Sequence, residues 1–216
     1  MKKTYIVAIA AFLLIGGFAG AAFMYQQQQI SEANAAASRF AEQLEPDYAA
    51  TKGDPGARVT IVKFFDPACE ACKAFHPLVN RIMQEHPGQV RLVMRYAPFH
   101  TGSDYVVSLL EAAKQQGKFW ETLEAAYESQ SKWASHGNPQ PQKIWWQLEN
   151  VGLNLKKAQV DVQSPAVLEN IRRDVADLKR MRISKTPTFF VNGKPLTRFG
   201  YEPLRDLVAA EINDVY

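Results

Sequence analysis

Hydrophobic positions follow two different periods along the chain, and their order predicts a mixed α/β fold. The apolar run at 59–65 predicts a buried strand. The segment near 89–96, in which apolar residues alternate with arginines, predicts a second strand. Between them, apolar residues recur every three or four positions from 75 to 83, and His86-Pro87-Gly88 ends this helical pattern. The globular part therefore begins as strand, helix, strand.

A helical pattern continues through 103–182 with no strand pattern inside it. Ser164 and Pro165 predict the start of its last helix, because serine caps helix N-termini and proline suits the first helical position. Basic and acidic residues alternate in that helix, which predicts a solvated face. The predicted helices lie near 103–116, 118–130, 140–151, 155–162 and 165–182.

The chain ends with a second strand region and a helix. Two short apolar segments, 188–191 and 195–198, flank Asn192-Gly193, which is a strong hairpin signal. Apolar residues then recur at helical spacing across 204–212 and predict a final helix. The order of elements is therefore strand, helix, strand, a block of helices, and then strand, strand, helix.

The first 25 residues differ from this globular pattern. Residues 5–25 carry no charge and are almost wholly apolar or glycine, and Lys2 and Lys3 precede them. Such a run is close to the length that spans a bilayer, and the lysines place its N-terminus in the cytoplasm. We expect a signal anchor that holds the rest of the chain in the periplasm or another extracytoplasmic space. Ala19-Gly20-Ala21 also fits a signal-peptidase site, so the alternative is a soluble periplasmic protein.

These patterns divide the chain into five predicted parts. The composition, 216 residues of which 47% are hydrophobic, allows one good core. A formal net charge of +3 makes nucleic acid an unsuitable partner. The parts are a signal anchor at 1–25, a helical linker at 26–54, a folded domain at 55–102 and 183–216, and a helical insertion at 103–182.

Chemistry is concentrated at Cys69-Glu-Ala-Cys72, which holds both cysteines of the chain. Cys69 falls at the N-terminus of the predicted helix, where unpaired N–H groups and the helix dipole stabilise a thiolate. Cys72 lies three residues further on and can resolve a mixed disulfide. A structural disulfide is a poor alternative because so short a loop removes little entropy from the unfolded chain. A zinc site with His76 lacks an obvious fourth ligand, so no metal is expected.

Together with the element order, these residues resemble the thioredoxin superfamily. The matching positions are Phe64-Phe65, Cys69, Cys72, Lys73, Pro77 and Thr186-Pro187-Thr188. The resemblance covers about 55–215, and the long helical block resembles membrane-anchored, DsbA-like thiol:disulfide oxidoreductases. It implies a thioredoxin-like α/β fold with an inserted helical domain.

The resemblance also implies an activity and its partners. Cys69 and Cys72 would be the catalytic pair, and a cis bond at Thr186-Pro187 would leave backbone groups nearby for substrate binding. Client proteins with cysteines would be the substrates, a quinone-linked membrane protein would reoxidise the pair, and no bound cofactor would be needed. We expect the protein to act as an oxidant that passes its disulfide to client proteins. The alternatives are a reductase or isomerase kept reduced by a membrane donor, and a thiol-based copper-handling protein.

Several residues near the cysteines are expected to tune their reactivity. Lys63 stands where relatives commonly hold an acidic residue that handles protons for the inner cysteine, a task that a lysine cannot perform in the same way. It either favours thiolates, becomes neutral on burial, or extends to solvent beside its strand. Glu70 places a carboxylate between the cysteines and disfavours the thiolate. Asp66 either acts in the same direction or caps the turn at Pro67. His76 lies one helical turn beyond Cys72 and is a further candidate.

Overall fold

The computed structural model describes residues 2–39, 41–135 and 137–216. The chain begins with helix α1 (Lys2–Arg39), followed by the short α2 (Ala41–Leu44). The side chains before Phe12, which include the first part of the predicted anchor, lie outside the described residues. Within the described part of the chain, no helix combines the length and the hydropathy that crossing a bilayer requires.

A five-stranded mixed sheet forms the centre of the globular part, in the order β1-β3-β2-β4-β5. Every residue of β2 is buried, which explains why its sequence is continuously apolar apart from Thr60 and Lys63. β2 and β3 are parallel, and the other neighbouring pairs are antiparallel. The strands are β1 (Ala50–Lys52), β2 (Val59–Phe65), β3 (Val90–Tyr96), β4 (Thr188–Val191) and β5 (Lys194–Pro195).

Helices cover both faces of this sheet. α3 (Glu70–Glu85) connects β2 to β3, and α9 (Tyr201–Val215) contacts β2, β4 and α3. The segment between β3 and β4 is helical, and its α8 contacts both α4 and β3. It contains α4 (Ser103–Lys114), α5 (Phe119–Glu128), α6 (Gln130–Trp133), a 3-10 helix (Pro141–Gln147), α7 (Leu155–Asp161) and α8 (Pro165–Arg180).

The buried apolar side chains form two clusters. The larger one contains Ile61 and Phe65 of β2 together with residues of α3, α4, α5 and α9. The smaller one contains Val62 and Phe64 of β2, Val93 of β3 and Leu178 of α8. Since successive residues of a strand point to opposite faces, the two clusters fill the two sides of the sheet.

Most predicted elements lie where the sequence placed them, and the mixed α/β class is confirmed. Ser164 caps α8 as predicted, accepting a hydrogen bond from the N–H of Val167. The helix predicted near 140–151 is instead a shorter 3-10 helix, and β1 was missed inside the predicted helical linker. The division into domains, with an inserted helical domain, stays a prediction.

The predicted solvated face of α8 is wrong at two positions. Asp174 is 1% exposed and Asp177 is 6% exposed, although their neighbours in the sequence are basic. Both carboxylates bind Arg95 of β3, so the acidic residues of the alternating run face the sheet instead of water.

Candidate active site

Cys69 sits at the point where the chain leaves β2 and enters α3. Its backbone has the extended conformation of an N-cap residue, and its Sγ accepts a hydrogen bond from the N–H of Cys72 at 3.4 Å. The same sulfur lies 3.4 Å from the carbonyl oxygen of Thr186, to which it donates when it is protonated. The predicted position of Cys69 at a helix N-terminus is therefore confirmed, and one of the orphan donors of α3 is directed at its sulfur.

The surroundings of Cys69 lower its pKa from 9.0 to about 5. Hydrogen bonding by the Cys72 thiol is the largest cause, and burial opposes it. The Thr186 side chain and the N–H groups of Cys72 and Ala71 add further stabilisation of the anion. Cys69 is therefore a thiolate at neutral pH, which is the nucleophilic form of cysteine.

Cys72 has the opposite character. Its side chain is fully buried, and its Sγ accepts a hydrogen bond from the N–H of Asp66 at 3.5 Å. Burial raises the pKa of the Cys72 thiol well above its usual range, and its hydrogen bond to Cys69 acts in the same direction. The charge of Lys63 opposes this shift without overcoming it. The pair therefore combines one ionised and one protonated sulfur.

The Thr186-Pro187 peptide bond is cis, as expected from the sequence. It lies immediately before β4, and the Thr186 carbonyl contacts the Cys69 thiol. The structure thus brings together two segments that are more than a hundred residues apart in the sequence. The role of these two residues in substrate binding stays a prediction.

Lys63 is fully buried in β2, so the alternative of a lysine that extends to solvent is wrong. Its Nζ donates a hydrogen bond to the carbonyl oxygen of Cys72 at 3.0 Å. Burial lowers the pKa of Lys63 to about 8, while electrostatic interaction with the two cysteines and Glu124 opposes that shift. Of the alternatives that the sequence left open for Lys63, the structure supports a buried side chain that is partly neutral near physiological pH.

His76 and Glu70 occupy different environments. His76 is 3% exposed, and its Nε2 lies 2.7 Å from Oε1 of Glu124 on α5. Glu70 is exposed in the first turn of α3 and lines a surface cavity of about 570 Å³ beside the cysteines. The other lining residues are Ala68, Lys73, Gln130, Ser131, Ala134, Ser135 and Gly137. The tuning roles of both residues stay predictions.

A family model described as Thioredoxin matches residues 45–210, which is more than half of the chain. The chain belongs to the thioredoxin family. The structure is similar to a thioredoxin-like oxidoreductase from Silicibacter pomeroyi DSS-3, with a TM-score of 0.68 and 26% identity, over 79% of this chain and 95% of that one.

Two further proteins are similar to this thioredoxin-family chain, one in structure and one in sequence. BdbD from Bacillus subtilis has the same fold, with a TM-score of 0.69 and 21% identity over 77% of this chain and 94% of that one. A Na(+)/H(+) antiporter NhaA from Herminiimonas arsenicoxydans is 29% identical over 153 residues, 71% of this chain and 24% of the antiporter. The chain thus spans about a quarter of the length of the curated relatives it matches.

The predicted enzyme class, a thiol:disulfide oxidoreductase, agrees with this family and with the paired thiols. Among the described residues, no group of three histidine, cysteine, aspartate or glutamate side chains is arranged to hold a metal ion. The two cysteines offer a reactive thiolate beside a buried thiol.

Sequence reasoning underestimated Asp66 in this thioredoxin-family site. It caps the turn, because Oδ1 accepts from the N–H of Ala68 at 2.8 Å, but it also holds the loop after β3. Its Oδ2 accepts from the N–H groups of Phe99 and His100 and lies 2.8 Å from Nδ1 of His100. Asp66 is buried, so this loop is tied to the turn that carries Cys69.

Two residues of α5 were missed entirely. Glu124 contacts His76, and the ring of Tyr127 lies 5.8 Å from Nζ of Lys63. They are three positions apart and so share a helix face, but nothing in their local sequence relates that face to the cysteines. A contact between α5 and the site depends on the tertiary fold, which a single sequence does not reveal.

Proposed function

We propose that this thioredoxin-family protein is an extracytoplasmic thiol:disulfide oxidoreductase that oxidises cysteines in client proteins. The observation that carries the proposal is the contrast between the two thiols, with the pKa of Cys69 lowered to about 5 and that of Cys72 raised. A stabilised Cys69 thiolate favours the reduced form of the enzyme. Its disulfide is therefore easily reduced and can be donated to a client.

The proposed reaction consists of two thiol–disulfide exchanges. A client thiolate attacks the sulfur of Cys69, the Cys69–Cys72 bond breaks, and Cys72 leaves and takes up a proton. A second client thiolate then attacks the client sulfur of the mixed disulfide, and Cys69 leaves as its stabilised thiolate. Two electrons pass from the client to the enzyme, and the client gains one disulfide.

Two surfaces along the helix that Cys69 caps suit an unfolded client chain. Phe199 is 54% exposed and its ring lies 4.6 Å from that of Phe75 on α3, which offers an apolar contact. Glu70 and Lys73 of the same helix line the surface cavity. We propose that backbone groups at Thr186-Pro187 bind the client next to its cysteine. None of these contacts demands a particular client sequence.

The proposed location rests on the N-terminal sequence and the use of cysteine. Residues 5–25 follow two lysines and carry no charge, which favours export with the globular part outside the cytoplasm. A pair of reactive thiols with no other cysteine fits an oxidising compartment. We propose a quinone-linked membrane protein as the partner that reoxidises the pair. Sequencing the N-terminus of the mature protein distinguishes an anchor from a cleaved signal.

A second candidate, a reductase or isomerase, is favoured by Glu70. Glu70 is exposed in the first turn of α3 and directly follows Cys69, whose sulfur must carry negative charge. Like charges disfavour one another, so Glu70 weakens the stabilisation of the Cys69 thiolate. This candidate would exchange disulfides through the same pair but would be kept reduced by a membrane donor.

The reduction potential of the Cys69–Cys72 pair tests the direction of the reaction. Full-length protein is equilibrated in glutathione buffers and the oxidised fraction is measured. We expect a potential near about −120 mV, typical of a disulfide donor. A potential near about −270 mV, typical of thioredoxin, would contradict the oxidant and support the reductase.

Two variants test whether the cysteines have the proposed roles. Cys69→Ala is expected to abolish oxidation of a reduced, unfolded client protein. Cys72→Ala, mixed with a client that contains a disulfide, is expected to accumulate a mixed disulfide between Cys69 and the client. The Cys69 thiolate attacks the client disulfide and one client thiolate leaves, but Cys72 is missing and cannot displace the client from Cys69. Oxidation of the client at the wild-type rate by Cys69→Ala would refute the proposal.

A further inference from the structure

Lys63 has few hydrogen-bond partners for a buried cation. An ammonium group has three N–H donors. The structure describes one hydrogen bond for Nζ of Lys63, to the carbonyl oxygen of Cys72. Burying a charge with so few partners is costly, so the neutral amine becomes accessible. Lys63 is thus able to exchange a proton beside the cysteine whose proton must move in each turnover.

Other polar groups near Lys63 also lack partners within the described part of the chain. Nδ1 of His76 and the hydroxyl of Tyr127 are both buried and unpaired. Buried polar atoms normally have partners, so their concentration at one place points to a role other than stability. The rings of His76 and Tyr127 lie 5.3 Å apart, and the Tyr127 ring lies 5.8 Å from Nζ of Lys63.

Glu124 connects this buried group to solvent. Its side chain is 48% exposed, and one of its oxygens lies 2.7 Å from Nε2 of His76. The hydrogen bond from His76 is the main cause that lowers the pKa of Glu124, and the charge of Lys63 acts in the same direction. In turn, the Glu124 carboxylate opposes the lowering of the Lys63 pKa that burial causes. A proton leaving Lys63 therefore has a titratable group with access to water close by.

We propose that Lys63 and Glu124, with His76 holding Glu124, form a proton-transfer path between the thiol of Cys72 and solvent. This inference rests on the proposed function. When a client attacks Cys69, Cys72 leaves as a thiolate and takes a proton from the Lys63 ammonium, which recovers one from solvent through Glu124. When the pair is reoxidised through a mixed disulfide between Cys69 and the oxidising partner, neutral Lys63 accepts the proton of Cys72. The Cys72 thiolate then attacks the sulfur of Cys69, the Cys69–Cys72 bond forms, and the partner leaves as its thiolate.

The path lies among charged and titratable groups from several elements. α3 contributes Cys69, Cys72 and His76, and α5 contributes Glu124 and Tyr127. Asp66 lies in the turn after β2, and Lys52 of β1 acts on Glu124. Lys63 itself is fully buried and donates a hydrogen bond to the backbone carbonyl of Cys72.

Reaction of the reduced full-length protein with one equivalent of dithiobis(nitrobenzoate) reports the reactions of the two cysteines in separate steps. Cys69 attacks the reagent and releases the first thionitrobenzoate, and Cys72 then displaces the second from Cys69. We expect Lys63→Met to slow the second release about tenfold or more, the factor that one unit of thiol pKa represents. In the wild type this release should rise with pH and level off near the Lys63 pKa of about 8, whereas in Lys63→Met it should keep rising.

Lys63→Glu distinguishes proton transfer from simple attraction of charges. A carboxylate can accept a proton but repels a thiolate. Proton transfer predicts a faster second release in Lys63→Glu than in Lys63→Met. A slower release in Lys63→Glu, or a release in Lys63→Met within about twofold of the wild type, would overturn the proposal.

Glu124→Gln tests the solvent end of the path, and Glu121→Gln is its matched control. Glu121 is also on α5, but it pairs with Lys118 on the surface. We expect only Glu124→Gln to slow the second release, and equal rates in the two variants would overturn the path. This pair decides the matter if the Lys63 variants fail to fold. A first release no faster than that of a free thiol would instead refute the proposed function.

Discussion

Lys63 and Arg95 are two fully buried cations on neighbouring strands, and their surroundings differ sharply. In the parallel pair, Lys63 lies opposite Met94, and Phe64 lies opposite Arg95, so the two cations point to opposite faces of the sheet. Arg95 is surrounded by acceptors: its guanidinium donates to Asp174 at 2.8 Å, to Asp177 at 2.7 Å and to the carbonyl oxygen of Gln43. Lys63 has one described acceptor.

This difference distinguishes a structural charge, which stabilises the fold, from a charge that can take part in proton transfer. Arginine keeps its proton under all ordinary conditions, and a buried arginine therefore needs acceptors in place. Lysine can lose its proton when acceptors are few, and burial lowers the pKa of Lys63 to about 8. We infer that Arg95 fixes α8 against the sheet, whereas Lys63 serves the cysteines.

The largest expected effect comes from breaking the Arg95 network. Arg95→Met leaves the carboxylates of Asp174 and Asp177 buried without their cation, and such losses cost about 3–5 kcal/mol. We expect urea unfolding to show a decrease of that size in the free energy of unfolding. The rate at which Cys69 releases the first thionitrobenzoate from dithiobis(nitrobenzoate) should be unchanged, because this network lies on the other face of the sheet from the cysteines. A loss below about 1 kcal/mol would contradict the structural role.

Lys63→Met is expected to have a smaller effect of opposite sign. The pKa of Lys63 is about 8 in the folded protein against 10.5 for an ordinary lysine. Below pH 8 Lys63 is protonated in both the folded and the unfolded protein. The folded protein then bears the whole cost of burying that charge, about 3 kcal/mol. Losing the hydrogen bond to Cys72 offsets about 1 kcal/mol of the gain. We therefore expect the variant to be about 2 kcal/mol more stable at pH 7.

The pH dependence sharpens this second prediction. Between about pH 8 and 10.5 the unfolded lysine binds a proton that the folded one does not. The stability of the wild type relative to Lys63→Met should therefore rise across that range. Urea unfolding at pH 7 and at pH 10 measures the change. A variant that is less stable than the wild type at pH 7 would show that Lys63 is a structural charge after all.

The sequence predicted more of the fold than of the partners of these cations. Continuous apolar residues in β2, the helical spacing in α3 and the cap at Ser164 are local signals, and each lies where it was expected. β1 was missed because it has three residues, two of them exposed, and so shows no period.

The two cations themselves were visible in the sequence, but their environments were not. Arg95 alternates with apolar residues in β3, a pattern typical of a strand with one solvated face, yet α8 covers that face. Glu124 lies 61 positions after Lys63, and Asp174 lies 79 positions after Arg95. Whether a buried cation is paired or unpaired depends on such distant residues, so local pattern alone could not decide it.

The smallest expected effect comes from the edge of the Arg95 network. The Tyr48 hydroxyl donates to Asp174 at 2.8 Å, but Asp174 also accepts from Arg95 and from the N–H of Tyr96. Tyr48→Phe therefore removes one bond of several, and we expect a loss of about 1 kcal/mol in urea unfolding at pH 7.

The pH dependence of Tyr48→Phe checks that this bond is the cause. Burial and the charge of Asp174 raise the pKa of Tyr48 above its usual value of 10.0. Above pH 10 the unfolded tyrosine ionises while the folded one keeps its proton, so the advantage of the wild type over Tyr48→Phe should shrink. In Asp174→Asn the same substitution should cost less at pH 7, because the acceptor is no longer charged. An equal cost in both backgrounds would place the contribution of Tyr48 in its ring contacts with Arg95 and Arg173 instead.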